Sequence, residues 1–316
     1  MTITHPELAT VRDALSATLT AVGVRGYVHA IDIDSGLEIG LDADTPVVAA
    51  SVFKVPVLVE LCRQYSTGQR SPVERVKIAA NERRTDGSTG ISAMLDDIDL
   101  SLRDLSFLMM SVSDNRATDI IVDLLGYDAI NATLGSFGLS DTVVTRDCAG
   151  LFVTVEEDLG TSLEELAASA ATGGITPEMR QALQNTRAAT AELTNHTTPR
   201  EITSLLAAIW RDEVIGAEAS TEVRRILAQQ AWPHRLTAGF PHSNIKVSGK
   251  TGTLFYTRNE AGVVEFPDGG RYAVGVFLRE PTEETRNPDA DRVIGTVAKL
   301  AIDYLRQSQA ESSENA

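Results

Sequence analysis

The strand-forming patterns of this chain lie at its two ends, and the long stretch between them reads as helix. Near the start, Tyr27 to Ile33 alternates apolar and polar residues, turns at Asp34-Ser35-Gly36 and returns through Leu37 to Leu41, a hairpin pattern. Near the end, Val263-Val264-Glu265-Phe266 and Tyr272 to Leu278 flank Pro267-Asp268-Gly269-Gly270, a second hairpin. Helical stripes close both ends: Leu8, Val11, Leu15, Leu19 and Val22, then Val293, Ile294, Val297, Leu300, Ala301 and Leu305. Strands so far apart in sequence join one sheet only if the intervening chain forms a separate lobe. The pattern therefore predicts an α/β fold of the α+β type, a mostly antiparallel sheet flanked by helices with an inserted all-helical subdomain. Residues 1–49 with 202–316 would carry the sheet and residues 50–201 the helices. At 316 residues the chain is long enough for two such parts.

Within the middle stretch, Val55 to Leu61 reads as a buried helix with Pro56 in its first turn. Ser101, with Asp104 three residues on, reads as the cap of another. Leu163 to Ala171 and Pro177 to Leu183 are helical as well. The tail from Ser308 to Ala316 is polar and is expected to fray. Of the two cysteines, Cys62 falls in an apolar helical run and Cys148 in a loop, with no metal-ligand spacing. The five histidines show none either, so neither a metal nor a cofactor is expected. A formal net charge of −16 disfavours nucleic acid and anionic membrane as partners. No stretch has the apolar length of a membrane span. Met1 to Glu7 carries no basic or apolar leader pattern, which reads as cytoplasmic, or as secreted if a leader has been removed. The oligomeric state is not legible.

Three short motifs carry the chemistry. Ser51-Val52-Phe53-Lys54 would put a hydroxyl and an amine one turn apart if a helix begins at Ser51. A capping serine followed by a solvated lysine is the plain alternative. Val48, Ala49, Ala50, Val52, Phe53 and Val55 favour the first reading, because an amine in apolar company loses its proton more easily. Ser-x-x-Lys alone is weak: it arises by chance roughly once in a chain this long, and Ser243-Asn244-Ile245-Lys246 is a second copy. Ser113-Asp114-Asn115 ends a helical run and is either a helix-stopping cluster or a proton shuttle beside an amide-binding donor. Lys250-Thr251-Gly252-Thr253 follows the strand-like Ile245 to Ser248. It is either a surface turn or a cation and hydroxyl at a strand edge, with Gly252 letting a substrate approach the backbone.

Together, in this order, the three motifs resemble the set of the class A β-lactamases and penicillin-binding proteins. Asp96 to Leu105 leading into Val112-Ser113-Asp114-Asn115, Thr197-Thr198-Pro199, and His234 to Pro241 are similar to that family too, so the resemblance covers most of residues 26–305. It implies a β-lactamase/transpeptidase-like fold with the site in the cleft between the helical part and the sheet, and a small-molecule substrate, a β-lactam or a related amide or ester. It implies catalytic roles for Ser51 as acylated nucleophile, Lys54 as base, and Ser113 as proton relay aided by Lys250. Asn115 would bind the acylamide, and Thr251, Gly252 and Thr253 the rest of the substrate, its carboxylate held by the two threonine hydroxyls. The backbone N–H groups of Ser51 and Thr253 would form the oxyanion hole. Arg235 and Arg258 stand unranked as further carboxylate anchors.

One family element is missing. After Val144-Thr145-Arg146 the family carries Glu-x-x-Leu-Asn, whose glutamate directs the deacylating water. Here the chain continues Asp147-Cys148-Ala149-Gly150-Leu151-Phe152. Glu156, Glu157 and Glu192 are the nearest substitutes. The expectation is an active-site serine hydrolase, with an acyl-trapping sensor or an esterase as the alternative.

Overall fold

The computed structural model describes residues 6–82, 85, 87–282 and 286–314. The leader reading at Met1 to His5 lies outside them. Helix α1 (Pro6–Ala21) leads into β1 (Arg25–Asp32) and β2 (Glu38–Leu41), the first predicted hairpin. A two-residue strand β3 (Val47–Val48) precedes a 3₁₀ turn (Ala50–Phe53) and α2 (Lys54–Ser66). Strands β4 (Arg75–Ile78) and β5 (Ile98–Ser101) pair with each other before α3 (Leu102–Ser111), α4 (Asn115–Leu125) and α5 (Tyr127–Ser136). Then come α6 (Cys148–Leu159), α7 (Leu163–Ala171), α8 (Pro177–Gln184), β6 (His196–Thr197), α9 (Pro199–Trp210) and α10 (Ala217–Leu227). The chain finishes with β7 (Lys246–Leu254), β8 (Thr257–Glu265), β9 (Arg271–Arg279) and α11 (Pro288–Glu314).

Five strands form one antiparallel sheet in the order β2-β1-β9-β8-β7, so the two ends of the chain do share it. Both of its faces are covered, which is why β9 reads as an unbroken apolar run. Val274 and Val276 point toward Leu15 of α1 and Ile294 and Val297 of α11. Ala273 and Phe277 point the other way, into a larger core with Ile202 and Leu205 of α9 and Leu58 of α2.

The middle stretch is helical apart from the β4–β5 pair and β6, which pairs with β3. Polar residues at Lys77 and Asp99 hide that pair from a hydrophobic-pattern reading. Two further expectations are corrected. Cys148 is the buried first residue of α6, not a loop residue, because the Asp147 side chain caps that helix through the Gly150 N–H at 2.7 Å. The tail expected as a polar end from Ser308 is helical as far as Glu314, where α11 ends; Asn315 and Ala316 lie outside the described residues.

Between β1 and α9, His29 is fully buried, with Nδ1 2.6 Å from the Thr203 hydroxyl and Nε2 3.3 Å from a Glu38 oxygen. Burial, reinforced by the Arg200 charge, lowers its pKa to about 4. The unfolded chain therefore takes up this proton near pH 6.5 and the folded chain only near pH 4. Stability is lost as pH falls through that window, by up to about 3 kcal/mol. Urea midpoints of the wild type and His29→Gln between pH 4 and 7 should show a shallower acid-side decline in the variant. Parallel profiles would remove His29 as the cause.

Candidate active site

Ser51 is presented by a strained turn. Ala50, just before it, has φ +45°, a left-handed conformation that costs a non-glycine residue about 1–3 kcal/mol. Two elements hold the turn. The Asn259 side-chain amide on β8 donates to the carbonyls of Val48 (2.9 Å) and Ala49 (3.2 Å). Strand β7 packs directly against it at Gly252, where an added Cβ would lie 2.9 Å from the Ala49 carbonyl oxygen and 3.2 Å from the Ser51 nitrogen. Gly252 thus makes room for the Ser51 turn. The helix does not begin at Ser51: a 3₁₀ turn covers Ala50–Phe53 and α2 starts at Lys54. Gly252→Ala is expected to destabilise the fold by about 1–3 kcal/mol through overpacking and to slow labelling of Ser51. Denaturant midpoints and labelling rates check this, and an unaffected labelling rate would show that the contact does not position Ser51.

Lys54 points away from solvent and is fully buried. Its Nζ donates to the Ser113 carbonyl (2.8 Å), the Ser113 hydroxyl (3.1 Å) and the Asn115 side-chain oxygen (2.9 Å). Burial lowers its pKa, while the charges of Asp114 and Asp119 oppose the shift. Ser113 itself has φ +61°. The Ser-Asp-Asn segment is the junction between α3 and α4, and its aspartate is structural. Asp114 caps α4 through the Ala117 N–H at 3.0 Å and receives the Ile91 N–H at 2.6 Å. That second bond ties in the segment whose Gly87, Ser88 and Thr89 form a lip of the cleft.

Lys250, Thr251, Gly252 and Thr253 all lie within β7, not in a turn after it, and β7 is an edge strand of the sheet. Lys250 is buried, its Nζ 2.8 Å from the Thr251 carbonyl oxygen. Burial and the charge of Lys54 hold its pKa well below the usual lysine range, against the pull of Glu260. Glu260 is buried too and accepts from Gln230 (2.6 Å) and the Leu236 N–H (2.8 Å). Of the unranked arginines, Arg235 grips the motif strand, donating to the Gly252 carbonyl (2.9 Å) and the Thr253 hydroxyl (2.7 Å). Arg258 pairs with Glu280.

A cleft of about 1430 Å³ joins Ser51, Ser113, Asn115, Thr251 and Thr253. Lys54 is bonded to Ser113 and Asn115 at this cleft, and Lys250 and Gly252 flank Thr251 in β7, so the structure brings the residues of the three motifs together. A buried amine of lowered pKa, bonded to a hydroxyl in the cleft that also holds Ser51, is suited to moving a proton during acyl transfer.

A family model describing the Beta-lactamase enzyme family matches residues 10–305. The chain belongs to that family. This beta-lactamase-family chain is 28% identical to a beta-lactamase regulatory protein, BlaB, of Streptomyces cacaoi, over 95% of this chain and 97% of the relative. Its fold is similar to a beta-lactamase from Sphaerobacter thermophilus, with TM-score 0.72, 24% identity, and 94% and 96% of the two chains covered. It is also similar to a PBP-A mutant in acyl-enzyme complex with penicillin G, with TM-score 0.73, 19% identity, and 95% and 97% covered.

The side of the cleft formed by α6 and α7 departs from the family pattern noted in the sequence. Asp119 of α4 fixes the start of α6, accepting the N–H groups of Cys148 (2.7 Å) and Ala149 (3.2 Å) and the Thr85 hydroxyl. Burial pushes the Cys148 thiol up to about 12, so it stays protonated. Phe152, Val153 and Leu163 line this side. Of the three glutamates, only Glu156 lines the cleft, and one of its oxygens accepts the Leu163 N–H at the start of α7 (3.0 Å). Glu157 pairs with Arg187 on the surface, and Glu192 lines a different pocket with Arg25 and Tyr27. The sequence reading missed the 87–89 lip, Trp232 and Asp291, which also line the cleft.

Proposed function

We propose that the protein is a serine hydrolase that forms an acyl-enzyme at Ser51 with β-lactams or a related amide or ester, and releases it slowly. Lys54 takes the Ser51 proton, Ser113 passes a proton to the leaving nitrogen with Lys250 beneath it, and Asn115 orients the acylamide. Thr251, Gly252 and Thr253 line the substrate along β7, and backbone N–H groups of Ser51 and Thr253 polarise the carbonyl. The cleft would divide a sheet-bearing part, 1–49 with 202–316, from a helical part, 50–201. The carrying observation is the bonding of the buried Lys54 amine to both Ser113 and Asn115 on the floor of the cleft that holds Ser51.

Slow release follows from Glu156. It is the one of the three glutamates offered as substitutes that lines the cleft, where Glu164 also stands, and one of its carboxylate oxygens accepts the N–H of the first residue of α7. A second reading, an acyl-trapping sensor, is favoured by the same engagement and by the regulatory name of the Streptomyces cacaoi relative. Both begin with one acylation. Intact-protein mass followed over time with a simple penicillin separates them. An adduct that forms and outlives many acylation half-times, with slow product growth, is the expected result. An adduct with only stoichiometric product favours the sensor. No adduct with penicillins or activated esters would reject acylation itself.

A further inference from the structure

A second pocket, of about 300 Å³, borders the Ser51 turn and shares no lining residue with the cleft. Its volume is enough for a small molecule. Three strands supply its floor. Their register sets Tyr27 of β1, Phe277 of β9 and Asn259 of β8 in one row, and Arg25, Arg279 and Thr257 in the next. Residues two apart on a strand share a face, so both rows point into the same space. Val47 and Val48 of β3 and the stretch carrying Ala189, Ala191 and Glu192 enclose it. Phe277, Val47 and Val48 are buried, whereas Arg25 and Glu192 are exposed, which gives an apolar interior and a charged rim.

The rim favours an anion. Arg25 and Arg279 are direct cross-strand partners, and like charges so placed repel. Arg25 lies over the Tyr27 ring, 4.9 Å from its centre, and reaches Asp42 only at 3.7 Å, with both side chains more than half exposed. Such a pair neutralises little. Arg279 donates from Nη1 to the Ala189 carbonyl (3.0 Å) and has no ion pair among the described residues; nor does Glu192. A carboxylate between the two guanidiniums would relieve their repulsion and gain charge-assisted hydrogen bonds. An apolar body would then cover Tyr27 and Phe277.

The pocket is tied to Ser51 by two of its own residues. Val48 leads into the strained Ala50, and the Asn259 amide nitrogen donates to the carbonyls of Val48 and Ala49. The Asn259 Oδ1 is buried and accepts no hydrogen bond among the described residues. The amide is therefore held from the turn alone, and an occupant packed on Asn259 or β3 would act on the backbone that carries Ser51.

We infer that this pocket is an effector site for small apolar carboxylates, with the anion at Arg279 and Arg25 and its occupancy transmitted to Ser51 through Asn259 and Val48. The binding site stands on its own geometry; its bearing on catalysis rests on the reading of Ser51 as the acylated residue. On that reading the ligand class is also that of the product, since water attacking an acyl-enzyme restores the serine hydroxyl and frees a carboxylate.

Titration of the wild-type protein with sodium phenylacetate, followed by its amide NMR resonances, tests this. Tyr27, Val47 and Ala191 should shift saturably, and Ala50 and Ser51 should follow with the same dissociation constant. Phenylacetamide, which keeps the ring and lacks the charge, should bind at least about tenfold more weakly, and Arg279→Gln should weaken phenylacetate by about the same factor, as expected for loss of a charged hydrogen bond. Shifts confined to Thr251 and Thr253 would put the anion in the cleft instead and overturn the inference. Equal binding of the amide would overturn it as well, and pocket shifts that leave Ala50 and Ser51 unmoved would remove the link to the turn. The comparison of acid and amide decides the matter even if Arg279→Gln folds poorly. None of these readings needs acylation, so failure of Ser51 to form an adduct would count against the proposed function alone.

Discussion

Ser51→Ala should abolish covalent labelling by penicillins and activated esters, while Ser243→Ala should leave it intact. Each serine begins a Ser-x-x-Lys, so the pair is an internal control on the motif. The structure gives the two copies opposite surroundings. Ser51 lines the cleft on a strained turn, and its lysine is buried and bonded to Ser113 and Asn115. Ser243 sits in an exposed turn before β7, and its Lys246 pairs with Glu265 across the sheet edge at 3.2 Å. Intact-protein mass after incubation with a penicillin reads the result directly. An adduct persisting in Ser51→Ala would place the nucleophile elsewhere, and one lost in Ser243→Ala would do the same.

The two hairpins of the sheet and the capped start of α3 were legible because they rest on local patterns. Period-two alternation, a Pro-Asp-Gly-Gly turn and a Ser101 cap each act within a few residues, and the cap is made as expected, with the Asp104 N–H 3.1 Å from the Ser101 hydroxyl. The motif residues were legible as a set, and the resemblance supplied their roles. Their local structure was not. The sequence offered Gly252 as an opening for substrate; its packing against Ala49 and Ser51, some 200 residues earlier in the chain, left no local signal. Asp291 gave no signal at all, because its position in the cleft depends on contact between Gly239 and Gly295, two glycines with nothing in their local sequence to link them. Asp114 was legible only as a helix stop. Its other oxygen holds Ile91 and with it the lip of the cleft, a long-range bond that no spacing encodes.

Lys54→Ala and Lys54→Met should each slow acylation of Ser51 by about 10²–10⁴-fold, the usual contribution of a general base. The methionine variant carries the sharper argument. Methionine nearly matches lysine in length and fills the same buried space without an amine. Burial already lowers the Lys54 pKa, so the folded protein holds this ammonium at a disadvantage relative to water. Replacing it with an apolar side chain should leave thermal stability near the wild-type value, whereas a lysine kept for structure would be missed. The acceptors left behind are the Ser113 carbonyl, the Ser113 hydroxyl and the Asn115 oxygen, and they line or adjoin the open cleft, where water can reach them. The pH profile adds an independent readout. In the wild type the acylation rate should rise with pH as the amine loses its proton, at a pH below the usual lysine range, and this limb should vanish in both variants. Fast acylation with a pH limb unchanged in Lys54→Met would transfer the base role to another group, with Lys250, the second buried amine of lowered pKa, the next to be replaced.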